Sequence, residues 1–249
     1  TISAVGYTTM ITGTWANKHN VYGNGIENPN YKYSTIFRML RASQVDATLG
    51  VFSTWEDNRT KILGEGLKQT DFLKMDYVFD GYENDTVAFP HDENKTYLRK
   101  IDELVTEKTS ETILSKGPNL SWVYLEYTDA IGHQFGDSPQ MDEAVRLADA
   151  QVGRIWKAVK ERRKSFGEEW LVFVTTDHGR TSEDGKGHGG QSDREREIWI
   201  ATNSKNLNLN FYDRKPEMVD IAPSIIDFLE IKLSKKQKKR LDGLSLLEF

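Results

Sequence analysis

Asp177, His178 and His188 lie close together in a chain that contains only five histidines. All three occur in the stretch TTDHGRTSEDGKGHGG, directly after the strand-like run LVFVTT. Neighbouring side chains on a strand point to opposite faces, so Asp177 and His178 can share one ion only if the backbone bends, and Gly179 permits a bend. For an isolated Asp-His pair, a loop with a capping Asp and a surface His is the commoner arrangement.

A second stretch, LEYTDAIGHQFG, places Asp129 and His133 four residues apart, again after a strand-like run. One turn of helix would bring both side chains to a common face, where they can bind the same ion. A capping Asp beside an unrelated polar His is an equally good interpretation of this stretch taken alone.

Taken together, the five side chains favour a metal site. In an open sheet of parallel strands, loops at the carboxyl ends of the strands bring distant residues together, so we expect all five at one edge. The chain has no cysteine, so any metal must be held by oxygen and nitrogen atoms. Zinc accepts such ligands, and with an open position it can bind and polarise an anionic oxygen.

A candidate nucleophile lies near the amino end. Ser3 begins the run SAVGYTTMITG, at what could be a strand-to-helix turn. A hydroxyl attacks well only when a base or a metal lies beside it, so Ser3 matters chemically only next to an ion. Alone, Ser3 is more typical of a helix cap, and Thr1 is the rival nucleophile.

The elements that must position these residues alternate along the chain. Short apolar runs alternate with segments of helical period, which predicts a three-layer α/β sandwich with a mostly parallel central sheet and helices on both faces. Strands are expected within 46–54, 76–82, 120–128, 170–176 and 197–203, and helices within 33–43, 94–115, 141–159 and 217–230. We expect residues 1–249 to form a single domain, with an irregular insertion in the Asp-, Asn- and Gly-rich segment 55–95.

Composition narrows the class of partner. The formal net charge of −5 argues against binding to a nucleic-acid duplex or another polyanion, and the basic runs 160–164 and 235–240 are typical of solvated helix faces. No apolar run approaches the roughly 20 residues that a membrane-spanning helix requires. We therefore expect no binding to a nucleic-acid duplex and no membrane span in this sequence.

The residues above resemble the alkaline phosphatase superfamily, and within it the type I phosphodiesterase/nucleotide pyrophosphatase branch. The run SAVGYTTMITG followed by ANKHNVYGN is similar to the nucleophile segment of that branch. Aligned on Thr12-Gly13, Ser3 takes the place of the nucleophile and Asn24 that of the amide that helps to hold a phosphoryl oxygen. His19 matches a turn histidine that we expect to be structural.

The resemblance extends along nearly the whole chain. YLEYTDAIGHQFG and VTTDHGR look like two metal-binding segments of the family, and MVDIAPSIIDFLEI and LDGLSL look like its final helix and carboxyl tail. The resemblance implies two divalent ions, zinc with manganese as the alternative. It assigns one ion to Asp129, His133 and His188, and the other to Asp177, His178 and the oxygen of Ser3.

One departure concerns the amino end. Members of the branch begin with a strand whose Asp completes the metal site beside the nucleophile, and the given sequence starts after that position. We therefore expect a fragment of a longer protein, lacking the first strand of the domain.

Two sister branches fit less well. Sulfatases have Pro two residues and Arg four residues after the matured Cys or Ser, and Val5 and Tyr7 stand there. Phosphomutases, usually with manganese, carry a large inserted domain for which this chain has no room.

The expected function is that of a metal-dependent phosphoric-ester hydrolase, a phosphodiesterase or nucleotide pyrophosphatase that acts through a Ser nucleophile and two metal ions. Its substrate would be a small phosphate ester such as a nucleotide, and the resemblance implies a periplasmic or extracellular location. The alternatives are a phosphomonoesterase of the same superfamily and a catalytically silent relative that binds a metal or an anion. Arg180 or Lys186 could meet a further anionic group, although a solvated side chain is the commoner case for each.

Overall fold

Three parallel strands form the centre of the fold in the computed structural model, which describes residues 1–248. Their order is β2-β1-β3, and Val51 of the central strand pairs with Val78 on one side and Trp122 on the other. The strands are β1 Leu49–Ser53, β2 Tyr77–Phe79, β3 Leu120–Tyr124, β4 Phe173–Thr175 and β5 Ile200–Thr202. Every residue of β1 is buried, as expected for a parallel strand that is covered on both faces.

The last two strands pair with each other. β4 and β5 are antiparallel, with Val174 opposite Ala201, and they form a two-stranded sheet separate from the three-stranded one. Each of the five predicted strand segments contains a strand, but they do not form one hydrogen-bonded ladder. The long connection between β4 and β5 is the irregular loop that carries Asp177, His178 and His188.

Helices cover both faces of the three-stranded sheet, which confirms the α/β class. The helices are α1 Ser3–Thr12, α2 Ala16–His19, α3 Ile36–Ser43, α4 Thr96–Ser115, α5 Tyr127–Phe135, α6 Pro139–Phe166, α7 Asp193–Arg196, α8 Leu209–Tyr212, α9 Ile221–Phe228 and α10 Lys235–Lys238. Leu49 and Val51 belong to one core cluster with apolar residues of α1, α3 and α9. Phe52 points the other way and packs with α4, because successive side chains on a strand alternate between faces.

α6 packs outside α4 and shows how the sequence sets the limits of a helix. Ser138 caps its first turn, its side chain accepting from the backbone N–H of Met141, and Pro139 takes the first helical position. Gly167 ends it with a φ of 68°, in the left-handed region that favours glycine. Ala158 and Val159 then pack against Ile113 of α4.

Within residues 1–248, none of the helices combines the length and the apolar character needed to cross a membrane. The segment 55–95 consists of short elements, a π-helical turn at Asn58–Leu63, 3₁₀ turns at Lys68–Thr70 and Tyr82–Asn84, and β2.

A buried carboxylate fixes the start of α5. Asp102 of α4 is 1% exposed and accepts hydrogen bonds from the backbone N–H groups of Glu126 and Tyr127, at 3.0 and 2.9 Å, and from the Thr54 hydroxyl at 2.6 Å. Burial raises the pKa of Asp102 to about 6, while these donors oppose the rise. Asp102 thus ties the first residues of α5 to the sheet, and α5 carries Asp129 and His133.

We expect Asp102→Ala to lower the free energy of unfolding by about 2–4 kcal/mol, because it leaves three donors without their acceptor. Urea unfolding at neutral pH measures the loss. The matched control is Glu103→Gln, which alters an exposed ion pair with Arg154 and should cost less than about 1 kcal/mol. Equal losses in the two variants would contradict the anchoring role of Asp102.

Candidate active site

The predicted metal-binding side chains converge at one place. Asp129, His133 and His188, which we call the Asp129 cluster, each offer a ligand atom, and these atoms lie within 4.8 Å of one another. The Nε2 atoms of His133 and His188 are 2.9 Å apart, and His133 Nε2 lies 3.3 Å from Asp129 Oδ2. The four-residue spacing on α5 therefore brings Asp129 and His133 to one face of the helix, as predicted. His188 approaches the pair from the loop after β4.

Ser3, Asp177 and His178, the Ser3 cluster, form a second group. His178 Nε2 lies 3.3 Å from Ser3 Oγ and 3.3 Å from Asp177 Oδ2. The chain bends at Asp177, directly after β4, so this carboxylate and the next imidazole reach the same point. Asp177 Oδ2 is buried and has no hydrogen-bond partner among the described residues, which is an expensive state for a carboxylate oxygen.

The two clusters adjoin. The rings of His178 and His188 stack with centroids 3.8 Å apart and planes 21° apart. Any ion held by one cluster would therefore lie close to an ion held by the other.

Hydrogen bonds to backbone carbonyls set the tautomers of two imidazoles. His178 Nδ1 lies 2.8 Å from the carbonyl oxygen of Gly179, and His188 Nδ1 lies 3.0 Å from that of Thr1. A carbonyl only accepts, so Nδ1 carries the proton in each ring and the neutral ring presents its Nε2 lone pair to the cluster. Metal-binding histidines are held in this way, with the second nitrogen donating to a carbonyl or carboxylate.

Burial lowers the pKa of His178, which favours the neutral, metal-binding form of the ring; the nearby Asp177 charge opposes the shift.

Ser3 is the first residue of α1 rather than its cap. The residue before it, Ile2, takes the cap position and offers no side-chain hydrogen bond. The Ser3 hydroxyl, in a residue only 9% exposed, therefore faces His178 instead of closing the helix. The rival hydroxyl of Thr1 donates to the carbonyl of Gly190 at 2.6 Å, away from either cluster.

Asn24 lies beside the start of α1. Its Oδ1 accepts from the backbone N–H of Ala4 at 3.0 Å, which leaves the two N–H donors of the amide for another acceptor. The loop that carries Asn24 is fixed by His19, which is 1% exposed. Both ring nitrogens of His19 bond inside the protein, to the Thr9 hydroxyl and the Val21 N–H, and burial lowers its pKa to about 4. These contacts are those of a structural histidine.

Glu195 holds the loop that presents His188, and the sequence analysis missed it. Its carboxylate accepts from the backbone N–H groups of Gly190 and Ser192, at 2.7 and 3.1 Å. Ser192 and Glu195 form a capping box at the start of α7. The spacing Ser-x-x-Glu is a readable signal of this arrangement.

The donor set fits divalent cations. Both clusters supply carboxylate oxygens and imidazole nitrogens, the ligands that zinc and manganese accept. Two imidazoles already present lone pairs, and the unpartnered Asp177 oxygen gains a partner if a cation is bound beside it.

A comparison with family models identifies the chain. The model described as "Type I phosphodiesterase / nucleotide pyrophosphatase" matches residues 1–225. The chain belongs to this family. The phosphodiesterase family is part of the alkaline phosphatase superfamily, so the resemblance that the motifs suggest is confirmed.

This phosphodiesterase-family chain is also similar to part of the sequence of two phosphoglycerate mutases. It is 26% identical over 205 residues to a 2,3-bisphosphoglycerate-independent phosphoglycerate mutase of Moorella thermoacetica, and 22% identical over 226 residues to one of Metamycoplasma hominis. These alignments cover 75% and 87% of this chain but 37% and 42% of the mutases. The chain thus spans less than half the length of these curated relatives.

Solved structures show the same fold. The chain superposes with a TM-score of 0.61 on Ps i-CgsB in complex with k-i-k-neocarrahexaose, at 12% identity, covering 97% of this chain and 64% of that one. It superposes with a TM-score of 0.56 on a protein bound to its substrate D-glucosamine-2-N,6-O-disulfate, at 13% identity, covering 99% and 70%. At this level of identity the likeness concerns the fold alone.

Glu126, at the start of α5 in this phosphodiesterase-family chain, has a carboxyl group with an unusually high pKa. Burial raises its pKa to about 8, and the nearby carboxylates of Asp102 and Asp129 add to the rise. A folded-state pKa above the unfolded value means that this group stabilises the fold fully below pH 4.5, and that the contribution is lost as pH rises toward 8.

We expect the metal-free protein to lose about 2–4 kcal/mol more unfolding free energy between pH 5 and 9 than its Glu126→Gln variant, which cannot ionise there. Denaturant unfolding in EDTA across this range measures the difference. Glu107→Gln, an exposed position on α4, should follow the wild-type pH profile. Parallel pH profiles for wild type and Glu126→Gln would show that Glu126 does not titrate abnormally.

Proposed function

We propose that this chain is the catalytic domain of a metal-dependent phosphoric-ester hydrolase in which Ser3 is the nucleophile. The observation that carries the proposal is the position of the Ser3 hydroxyl, 3.3 Å from His178 Nε2 and beside two adjoining groups of carboxylates and imidazoles. Family membership supports the same chemistry. One core cluster joins apolar residues from Ala4 to Trp122 with residues from Ala222 to Ile231, which supports a single domain.

In this proposal the Asp129 cluster would hold one divalent ion and the Ser3 cluster the other, with zinc as the first candidate and manganese as the second. When bound, such ions stabilise the negative charge that develops on the attacking and leaving oxygens during phosphoryl transfer.

Ser3 acts as the covalent group. Its oxygen gives the hydroxyl proton to solvent and forms a bond to phosphorus while the bond from phosphorus to the leaving oxygen breaks, and the leaving oxygen takes a proton from solvent to become an alcohol. Water then displaces the Ser3 oxygen from phosphorus, the Ser3 proton is restored, and the net reaction is hydrolysis of one ester bond. The position of Ser3 at the amino end of α1 favours the anionic oxygen, because the helix dipole is positive there.

Asn24 and His178 orient the reacting groups. The Ala4 N–H fixes the Asn24 carbonyl, so the amide N–H groups can donate to a non-bridging phosphoryl oxygen. His178, held by the Gly179 carbonyl, presents Nε2 at 3.3 Å from the Ser3 hydroxyl, so an ion bound to this nitrogen would lie beside the Ser3 oxygen.

The substrate class that we propose is a small phosphate ester, such as one formed by a nucleotide, with a diester preferred to a monoester. Comparison of turnover on bis-p-nitrophenyl phosphate and p-nitrophenyl phosphate with added zinc or manganese tests it. Faster turnover of the diester supports the phosphodiesterase proposal, whereas faster turnover of the monoester makes the protein a phosphatase. Export to the periplasm or the cell exterior stays a prediction from the family resemblance.

Ser3→Ala should lower kcat on the preferred ester by about 10³-fold or more, because it removes the atom that bonds to phosphorus. Ser3→Thr keeps a hydroxyl at this position and should retain much of the activity. The control is His91→Ala, an exposed histidine outside both clusters. Ser3→Ala with wild-type kcat would eliminate the proposed mechanism.

Chelation should abolish turnover, and added zinc or manganese should restore it. Calorimetry of the metal-free full-length protein should then give two zinc sites. Turnover that persists in excess EDTA would contradict the metal-dependent proposal, and binding without turnover on either ester would favour a silent metal-binding relative.

A further inference from the structure

The Arg180 side chain is largely buried, although a solvated side chain is the commoner case for such a residue. It is 11% exposed, and its terminal nitrogens bind acceptors within the protein. Its Nη2 donates to the Asp129 backbone oxygen at 2.8 Å and to Asp129 Oδ1. Its Nη1 reaches the carbonyl of Lys186 at 3.2 Å, two residues before His188. One guanidinium thus joins α5 to the loop that carries the third member of the Asp129 cluster.

Gly132 makes room for this guanidinium. A Cβ atom built on Gly132 would overlap three atoms of the guanidinium, namely Cζ, Nε and Nη2 of Arg180. Alanine is normally favoured over glycine inside a helix, and Gly132 lies within α5, so the missing side chain has a packing reason. Gly132 is three residues after Asp129, and so the guanidinium lies against the face of α5 that presents the carboxylate.

The two carboxylate oxygens of Asp129 have different partners. Oδ1 accepts from the guanidinium and lies 3.7 Å from His188 Nε2, whereas Oδ2 accepts no hydrogen bond from the guanidinium and lies 3.3 Å from His133 Nε2. A planar guanidinium bound to both the carboxylate and the backbone carbonyl of one residue restricts rotation of that side chain. Main-chain and carboxylate acceptors occupy both terminal nitrogens, so neither is available to a substrate anion.

We propose that Arg180, seated on Gly132, is a positioning residue that fixes Asp129 as a one-oxygen ligand, through Oδ2, of the divalent ion in the Asp129 cluster. This inference deepens the proposed function and rests on it. Groups that orient metal ligands in this way typically change metal affinity by about 10–100-fold when they are removed.

The test is calorimetric zinc binding to the metal-free protein in wild type, Arg180→Ala, Gly132→Ala and the double variant. We expect each single variant to weaken binding at one site by about 10–100-fold, because Gly132→Ala expels the guanidinium. The double variant should be no weaker than Arg180→Ala, since one interaction cannot be lost twice. Additive losses in the double variant would overturn the proposal.

Two further variants separate positioning from charge and from folding. Lys186→Gln removes one positive charge from the same loop at an exposed side chain, and it should stay within about 3-fold of wild type. Arg180→Lys keeps the charge but not the fork, and should lose affinity nearly as Arg180→Ala does. Millimolar guanidinium ion should restore zinc affinity to Arg180→Ala, an effect that a merely structural loss would not give.

The outcomes also distinguish this inference from the proposed function. Wild-type zinc affinity in a folded Arg180→Ala protein overturns the positioning role and leaves the hydrolase proposal intact. Weakened binding in that variant supports the role even if the wild type turns over neither ester. A wild type that binds no divalent ion removes both.

Discussion

The candidate site depends on α1 lying directly against the bend at Asp177. Gly6 is at the contact, and a Cβ atom there would be 3.1 Å from both Asp177 Cβ and the Asp177 carbonyl oxygen. Such a separation is tighter than ordinary van der Waals contact, so a side chain at this position would push the helix away from the loop. Ser3 lies three residues earlier on the same helix face, and its distance from His178 follows from this contact.

The close packing of carboxylates near the start of α5 creates an electrostatic problem. Asp102 of α4 and Asp129 of α5 lie near Glu126, and both carboxylates add to the burial that raises the pKa of Glu126. Nearby donors offset part of this unfavourable interaction. Asp102 accepts three hydrogen bonds, and Asp129 forms an ion pair with Arg180. Asp177 is paired with no Lys or Arg side chain among the described residues; His178 Nε2 lies 3.3 Å from its Oδ2, which has no hydrogen-bond partner there. Cations at the two clusters would supply the missing positive charge.

Local patterns in the sequence were sufficient for the strands and for the closeness of Asp129 to His133, whereas the metal-binding and catalytic roles of the site residues stay predictions. The period of apolar residues identifies the strands and the main helices, and the four-residue spacing of Asp129 and His133 requires only that α5 be helical. The antiparallel pairing of β4 with β5 was not predictable, because a short apolar run does not reveal the direction of its partner. The contacts of Asp102 and Arg180 were not predictable for a related reason: their partners lie 24 and 51 residues away, and no short motif encodes such contacts.

The role of Ser3 illustrates how structure separates a chemical from a capping interpretation. A serine at the start of a helix most often closes the first turn, and a hydroxyl engaged in that way is not available as a nucleophile. Here the helix begins one residue earlier than a serine cap would require, because Ile2 is at the cap position and Ser3 is already helical. The hydroxyl then points out of the helix end toward His178, where the positive end of the dipole favours an oxyanion. A shift of the helix start by one residue would turn the same serine into a cap, so the contact of α1 with the Asp177 bend controls the chemistry as well as the packing.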